Sequence, residues 1–141
     1  MCNYTIAIVG ILLLANYASS AQQLLNPRRD TVRWEYGIVE NRVKSETVPH
    51  AGHFISYGDN SFLWVQNGVD RKYLFKTRSL KGDWNDAKKN GQLVYRVTCN
   101  GEEGTLKLVR TRQRLIVELD FLQPSKTTPH LVLLITSIQK I

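Results

Sequence analysis

From Thr31 onward the apolar residues recur at every second position, and a period of two builds strands rather than helices. Trp34, Tyr36 and Ile38 alternate with Arg33, Glu35 and Gly37. Phe62 and Trp64 are followed by Tyr73 and Phe75, the latter pair interleaved with Lys72 and Lys76. Leu93, Tyr95, Val97 and Cys99 form a third such series, and Leu115, Val117, Leu119 and Phe121 a fourth. Each series has the aromatic and β-branched content of a half-buried strand.

Turn residues fall between these runs. Asn67-Gly68, Asn90-Gly91 and Asn100-Gly101 tolerate positive φ, and Gly58-Asp59-Asn60 forms another turn. His53–Tyr57 should therefore pair with Ser61–Gln66 as a hairpin, and Asn100–Gly104 should join Gln92–Cys99 to Thr105–Arg110. Parity exposes one further reversal. The inward residues Leu106 and Leu108 are even-numbered, whereas Leu115 to Phe121 are odd, and one strand cannot change faces without a bulge or a turn. A tight turn or bulge is expected at Thr111-Arg112-Gln113, with Pro124 to Pro129 as a loop before a last strand, Leu131–Ile138, apolar on both faces. Ser79 to Asn90 breaks the alternation and reads as one helical turn or an ordered loop, with Trp84 anchored on the sheet. The predicted fold is all-β: a small antiparallel sandwich or barrel of about eight strands.

Ahead of this domain, Met1 to Ala21 contains no Asp, Glu, Lys or Arg and carries a ten-residue apolar run, Ile6 to Ala15. That run suits the core of a cleavable signal peptide and falls short of the roughly 20 residues a spanning helix needs. Ser19 and Ala21 stand where signal peptidase reads small residues, so cleavage before Gln22 is expected, and the mature chain should be secreted. Residues 22–30, with Pro27 and the dibasic Arg28-Arg29, read as a flexible lead-in to a single β-rich domain over 31–141. Cleavage would remove Cys2 and the Asn3-Tyr4-Thr5 sequon, leaving Cys99 without an internal disulfide partner. Cys99 is then either a buried thiol or the half of an intermolecular bridge.

The net charge of +7 is concentrated in one stretch. Residues 22–70 sum to −1 and residues 115–141 to zero, whereas Arg71 to Arg114 holds twelve basic and four acidic residues. Arg71, Lys72, Lys76, Arg78 and Lys81 come first, then Lys88, Lys89 and Arg96, then Arg110, Arg112 and Arg114. These are candidate contacts for an anionic partner outside the cell: a sulfated glycan, a membrane surface or an acidic protein. Nucleic acid is disfavoured, because no recognition motif accompanies the charge.

The sequence holds no phosphate loop, nucleophile elbow or His-Glu-x-x-His motif, so no catalytic residue, cofactor or metal site is assigned. His50 and His53 near Asp59 do not supply a ligand set. The leading expectation is a secreted, non-enzymatic interaction protein. One alternative is a β-barrel carrier of a small apolar ligand, with Trp34, Tyr36, Phe54, Phe62, Trp64, Tyr73, Phe75 and Tyr95 as its lining, although the Gly-x-Trp motif and paired cysteines of lipocalins are absent. Another is a cationic defence protein, which would ordinarily act through a basic amphipathic helix that this sequence does not encode.

Overall fold

A computed structural model describes residues 24–68, 71–121 and 130–141 of the chain. They form a closed antiparallel barrel of eight strands in meander order. These are β1 (Thr31–Asn41), β2 (Glu46–Tyr57), β3 (Ser61–Gln66), β4 (Arg71–Lys81), β5 (Gly91–Cys99), β6 (Glu102–Arg110), β7 (Leu115–Phe121) and β8 (His130–Lys140). Each strand pairs with its successor, and β8 returns to β1. Closure removes the two outer edges that an open sheet of this composition would expose. Residues 1–21, expected to be a signal peptide, and the expected loop from Pro124 to Pro129 lie outside the described residues.

The short connections follow from local chemistry. Asn100 and Gly101 both take positive φ, 52° and 80°, so two residues suffice to reverse the chain and β6 begins at once with Glu102. The parity change between β6 and β7 is resolved by a turn over residues 111–114. There Thr111 N–H donates to the Arg114 carbonyl (2.9 Å), and Thr111 Oγ1 accepts from the N–H groups of Gln113 and Arg114 (3.3 and 3.2 Å).

Two bulges shift the simple alternation. Register against β8 slips between Tyr36 and Ile38, so Gly37 is the extra residue there, Ile38 points outward with 39% exposure, and Val39 packs against the core. Ile38 was expected on the inward face with Trp34 and Tyr36, and the bulge is why it is not. A second slip between Thr77 and Ser79 carries β4 on to Lys81, so that Leu80 packs on the core opposite Tyr95. The stretch with no period-two pattern therefore narrows to residues 82–90, an irregular loop without a helical turn. β8 is buried on both faces only in its upper part, at Val132 and Leu133, whereas Thr136 and Ser137 are exposed.

The barrel has two unlike ends. At the lower end lie the N-terminal segment, the β2–β3 turn, the 82–90 loop, the β6–β7 turn and the C-terminus; the β1–β2, β3–β4 and β5–β6 connections lie at the upper end. Within the core, the aromatics come from β1 to β5 and the leucines from β5 to β8. Phe62 meets Tyr95 edge-on with ring centroids 4.8 Å apart, and Phe54 sits 5.6 Å from Phe62 and 6.1 Å from Phe75. Trp34, Phe54, Phe62, Phe75, Tyr95, Leu93, Leu106, Leu108, Leu119 and Leu133 are all completely buried. Burial on this scale, about 1.5–3 kcal/mol for each large apolar side chain, supplies the stability that small secreted domains often take from disulfides.

The lower end is sealed. Trp34 Nε1 donates to Ser56 Oγ (2.9 Å), and the Trp34 ring lies 6.1 Å from that of Trp84, whose own Nε1 donates to the Lys89 carbonyl. Trp84 thus anchors its loop over Gly91, where a Cβ would stand 2.1 Å from the indole. Residues 25–30 close over this plug. Ala87 N–H donates to the Leu25 carbonyl (2.9 Å), Pro27 is buried, and Arg28 Nε meets Asp59 Oδ2 at 3.2 Å. Asp59 Oδ1 in turn accepts from Tyr95 Oη at 2.9 Å. The end of β8 lies close beside the start of β1: Ile141 N–H donates to the Thr31 carbonyl (3.0 Å), and Lys140 pairs with Asp30 (3.3 Å).

Candidate functional site

The upper end is built differently. Tyr36 on β1, Trp64 on β3 and Tyr73 on β4 share the inward face there, with Val39, Phe121 and Leu131 completing a ring of apolar side chains. Tyr36 and Trp64 are buried, whereas Val39, Tyr73, Phe121 and Leu131 are only partly so. Inward residues that keep some exposure mark a mouth above the packed core.

Two glycines shape this mouth. At Gly52 an added Cβ would fall 2.2 Å from Tyr36 Oη and 2.7 Å from the Val65 carbonyl oxygen, so the phenol occupies the space a side chain would need. Gly104 does the same for Phe121, whose Cδ1 would lie 2.7 Å from a Cβ. With that room Phe121 reaches across the interior and stacks on Phe75 at 5.6 Å, forming the floor of the mouth. Trp64 stacks loosely on Tyr73 at 5.3 Å and donates its Nε1–H to Tyr36 Oη at 2.9 Å. Burial raises the Tyr36 pKa while the Trp64 hydrogen bond opposes that shift, so the phenol stays protonated at physiological pH. His50 stacks over Tyr36 with ring centroids 6.5 Å apart, and His53 projects from the outer face beside Glu35 and Lys72. Among the described residues no group of three His, Cys, Asp or Glu side chains is placed to hold a metal ion.

The eight aromatic residues that the sequence suggested as a lining thus divide. Trp34, Phe54, Phe62, Phe75 and Tyr95 are packed core, and Tyr36, Trp64 and Tyr73 reach the mouth. Cys99 also faces inward near the upper end, 7% exposed. Burial and, secondarily, the nearby Glu102 charge push its thiol pKa up, which disfavours the thiolate that disulfide exchange requires.

The basic stretch spreads over three places. Lys72, Lys76, Arg78 and Lys81 are exposed on β4, and Arg96 projects from β5 opposite Ser79, so these share the outer β4–β5 face, whereas Arg71 has the parity of Tyr73 and Phe75 and stands at the rim of the upper end. Arg78, Arg96 and Glu103 line a shallow groove there; a neighbouring one of about 540 Å³ is lined by Leu74, Lys76, Arg78, Thr98, Asn100, Gly101 and Glu103. The second groove exists because β5 pairs with β4 only from Lys76↔Thr98 downward, leaving Arg71–Phe75 without a ladder partner on that side among the described residues. Lys88 and Lys89 sit in the lower loop. Arg110, Arg112 and Arg114 gather at the β6–β7 turn and do not join the β4–β5 face.

The sequence could not name Gly52, Gly104 or Val39 as parts of the mouth. Their roles depend on which side chains cross the barrel and on the Gly37 bulge, neither of which a period-two pattern records. Comparisons with protein-family models, curated proteins and solved structures find no match to this chain.

Proposed function

We propose that the chain acts outside the cell as a non-enzymatic binding protein that takes a small, mostly apolar ligand at the upper mouth of the barrel. The observation that carries this reading is the contrast between the two ends. Partly buried apolar side chains occur at both ends, Leu25, Leu80 and Ile138 below and Val39, Tyr73, Phe121 and Leu131 above, but among the described residues Trp84 and residues 25–30 fold over the lower end alone. Barrels of this strand number have interiors that side chains just fill or that hold one small ligand, and their mouths are preferred binding sites. The Phe75–Phe121 stack sets the depth, so the ligand is about the size of one or two rings rather than a long acyl chain. Tyr36 supplies the polar handle. Its oxygen already accepts from Trp64, which leaves its proton to be donated to an acceptor on the ligand.

Tryptophan fluorescence tests this reading, because Trp64 lines the mouth while Trp34 and Trp84 belong to the lower seal. Titration with indole, with substituted phenols and with an anilinonaphthalene sulfonate probe should give saturable quenching that Trp64→Phe abolishes. Quenching that persists in the Trp64→Phe protein, or none with any probe, would refute it.

A second reading is favoured by the outer β4–β5 face, along which Lys72, Lys76, Arg78, Lys81 and Arg96 are exposed, with Glu103 4.0 Å from Arg96. This face suits an anionic macromolecule and would make affinity strongly salt-dependent. Heparin retention lost in a Lys76→Gln/Arg78→Gln/Arg96→Gln variant, and retained when three cations elsewhere are neutralised, would support it.

A further inference from the structure

At the lower end the wall of the barrel is incomplete. The β7–β8 ladder stops at Ile116↔Leu134, yet β8 continues to Lys140, paired on that stretch with β1 alone. The notch left between them, about 380 Å³, has the β6–β7 turn as one wall and residues 135–138 of β8 as the other.

The turn loads this notch with charge. Arg110, Arg112 and Arg114 all line it, joined by the hydroxyl-bearing Thr111, Thr136 and Ser137. No Asp or Glu is among its lining residues. Arg114 is steadied from one side by Glu40, its Nη1 lying 3.7 Å from the carboxylate, and Glu40 also takes Arg42 at 3.5 Å. Arg110 and Arg112 have no carboxylate partner among the described residues. Arg110 is the more telling of the two. It continues the inward parity of Leu106 and Leu108 at the foot of β6, and its Nε is buried with no hydrogen-bond acceptor. A guanidinium stays charged at any physiological pH, and a buried N–H without an acceptor costs about 1–3 kcal/mol.

We propose that this notch is a binding site for an oxyanion group, a phosphate or sulfate ester. Arg110 and Arg112 would supply the guanidinium forks that match such oxygens, Arg114 a third charge already oriented by Glu40, and the Thr136 and Ser137 hydroxyls the neutral donors. The notch is larger than the anion needs and has Leu115, Ile135 and Ile138 in its lining, which leaves an apolar wall for the group that carries the ester. It lies at the opposite end of the barrel from the mouth, so it stands whether or not the mouth binds a ligand.

The test is thermal denaturation of the mature chain in inorganic sulfate or phosphate, with ionic strength held constant by chloride. Site binding predicts a rise in Tm that follows the logarithm of anion concentration above the dissociation constant, on the order of 5 °C at ten times that constant. Arg110→Gln should remove the rise, and the exposed Arg112→Gln, which leaves the core untouched, should weaken apparent affinity by at least several-fold. Lys44→Gln, an equal loss of charge in the β1–β2 turn, should change nothing. Repeating the titration with a sulfated disaccharide and with glycerol phosphate distinguishes the two ester sources, the tighter ligand assigning the site. A Tm rise that is linear in anion concentration from the lowest doses, or one of equal size in both arginine variants and wild type, would overturn the proposal.

Discussion

Single residues decide how the upper end is shaped, and glycines do more there than any aromatic. Gly52 gives up its side chain so that Tyr36 can lie flat over β2 and accept from Trp64. Gly52→Ala should destabilise the fold by about 1–3 kcal/mol, the cost of overpacking a filled site. It should also blunt the Trp64 fluorescence response to ligand, because Tyr36 must move; chemical denaturation and the probe titration read the two effects. His53 offers a pH-dependent check on the outer face. Burial, then the Arg33 charge, lowers its pKa below the ordinary value near 6.5. The folded chain therefore holds this proton more weakly than the unfolded chain. The stability it contributes is present above that ordinary value and is lost as pH falls through the lowered one. The Tm gap between wild type and His53→Gln should accordingly narrow or reverse on acidification, and a gap independent of pH would contradict the assignment.

At the scale of elements, the sequence was most informative where one face of a strand is apolar and the other polar. β5 matches its alternation residue for residue and β7 departs from it only at the buried Ile116, while the opposed parity of Leu106–Leu108 and Leu115–Phe121 located the turn between β6 and β7. It was least informative where an inserted residue resets the pattern, at Gly37 and between Thr77 and Ser79, since a bulge leaves no mark in composition. Residues 25–30 illustrate a different limit. Polar, proline-containing and dibasic, they have the composition of a free tail, yet they are held by backbone bonds to Ala87 and Gly58 and by the Arg28–Asp59 pair. Such contacts join segments far apart in sequence, and no local pattern encodes them. Asp59 is the pivot, accepting from both Arg28 and Tyr95. Asp59→Ala should cost about 1–3 kcal/mol by orphaning the Tyr95 hydroxyl. It should also expose the Arg28-Arg29 bonds to trypsin under native conditions; cleavage no faster than in wild type would show that residues 25–30 are held by other means.

For the whole molecule, the alternation and turn spacing implied a sheet of about eight strands, but not whether it closes. Closure rests on the β1–β8 ladder, which joins residues a hundred positions apart and is among the most extensive in the fold. The basic stretch shows the same division between what is local and what is not. Its members were identifiable as a charge block, while their distribution over the β4–β5 face, the lower loop and the β6–β7 notch depends on how strands wrap around the barrel. The mouth and the notch then fall at opposite ends, which allows a neutral ligand and an anionic one to be held without competing for the same surface.

The hydrogen bond between Ile141 and Thr31, with the Lys140–Asp30 pair beside it, makes the meander a ring in which the gap between the start of β1 and the end of β8 is a matter of covalent accident. A short linker across that gap, with new termini opened at Asn100-Gly101, should yield a circular permutant that folds to the same barrel. Its new ends would emerge beside the mouth instead of beside the seal. A tag or surface tether at Ile141 therefore leaves the mouth unobstructed, and the same tether on the permutant crowds it, so the pair of proteins forms a geometric control for any ligand assigned to that end.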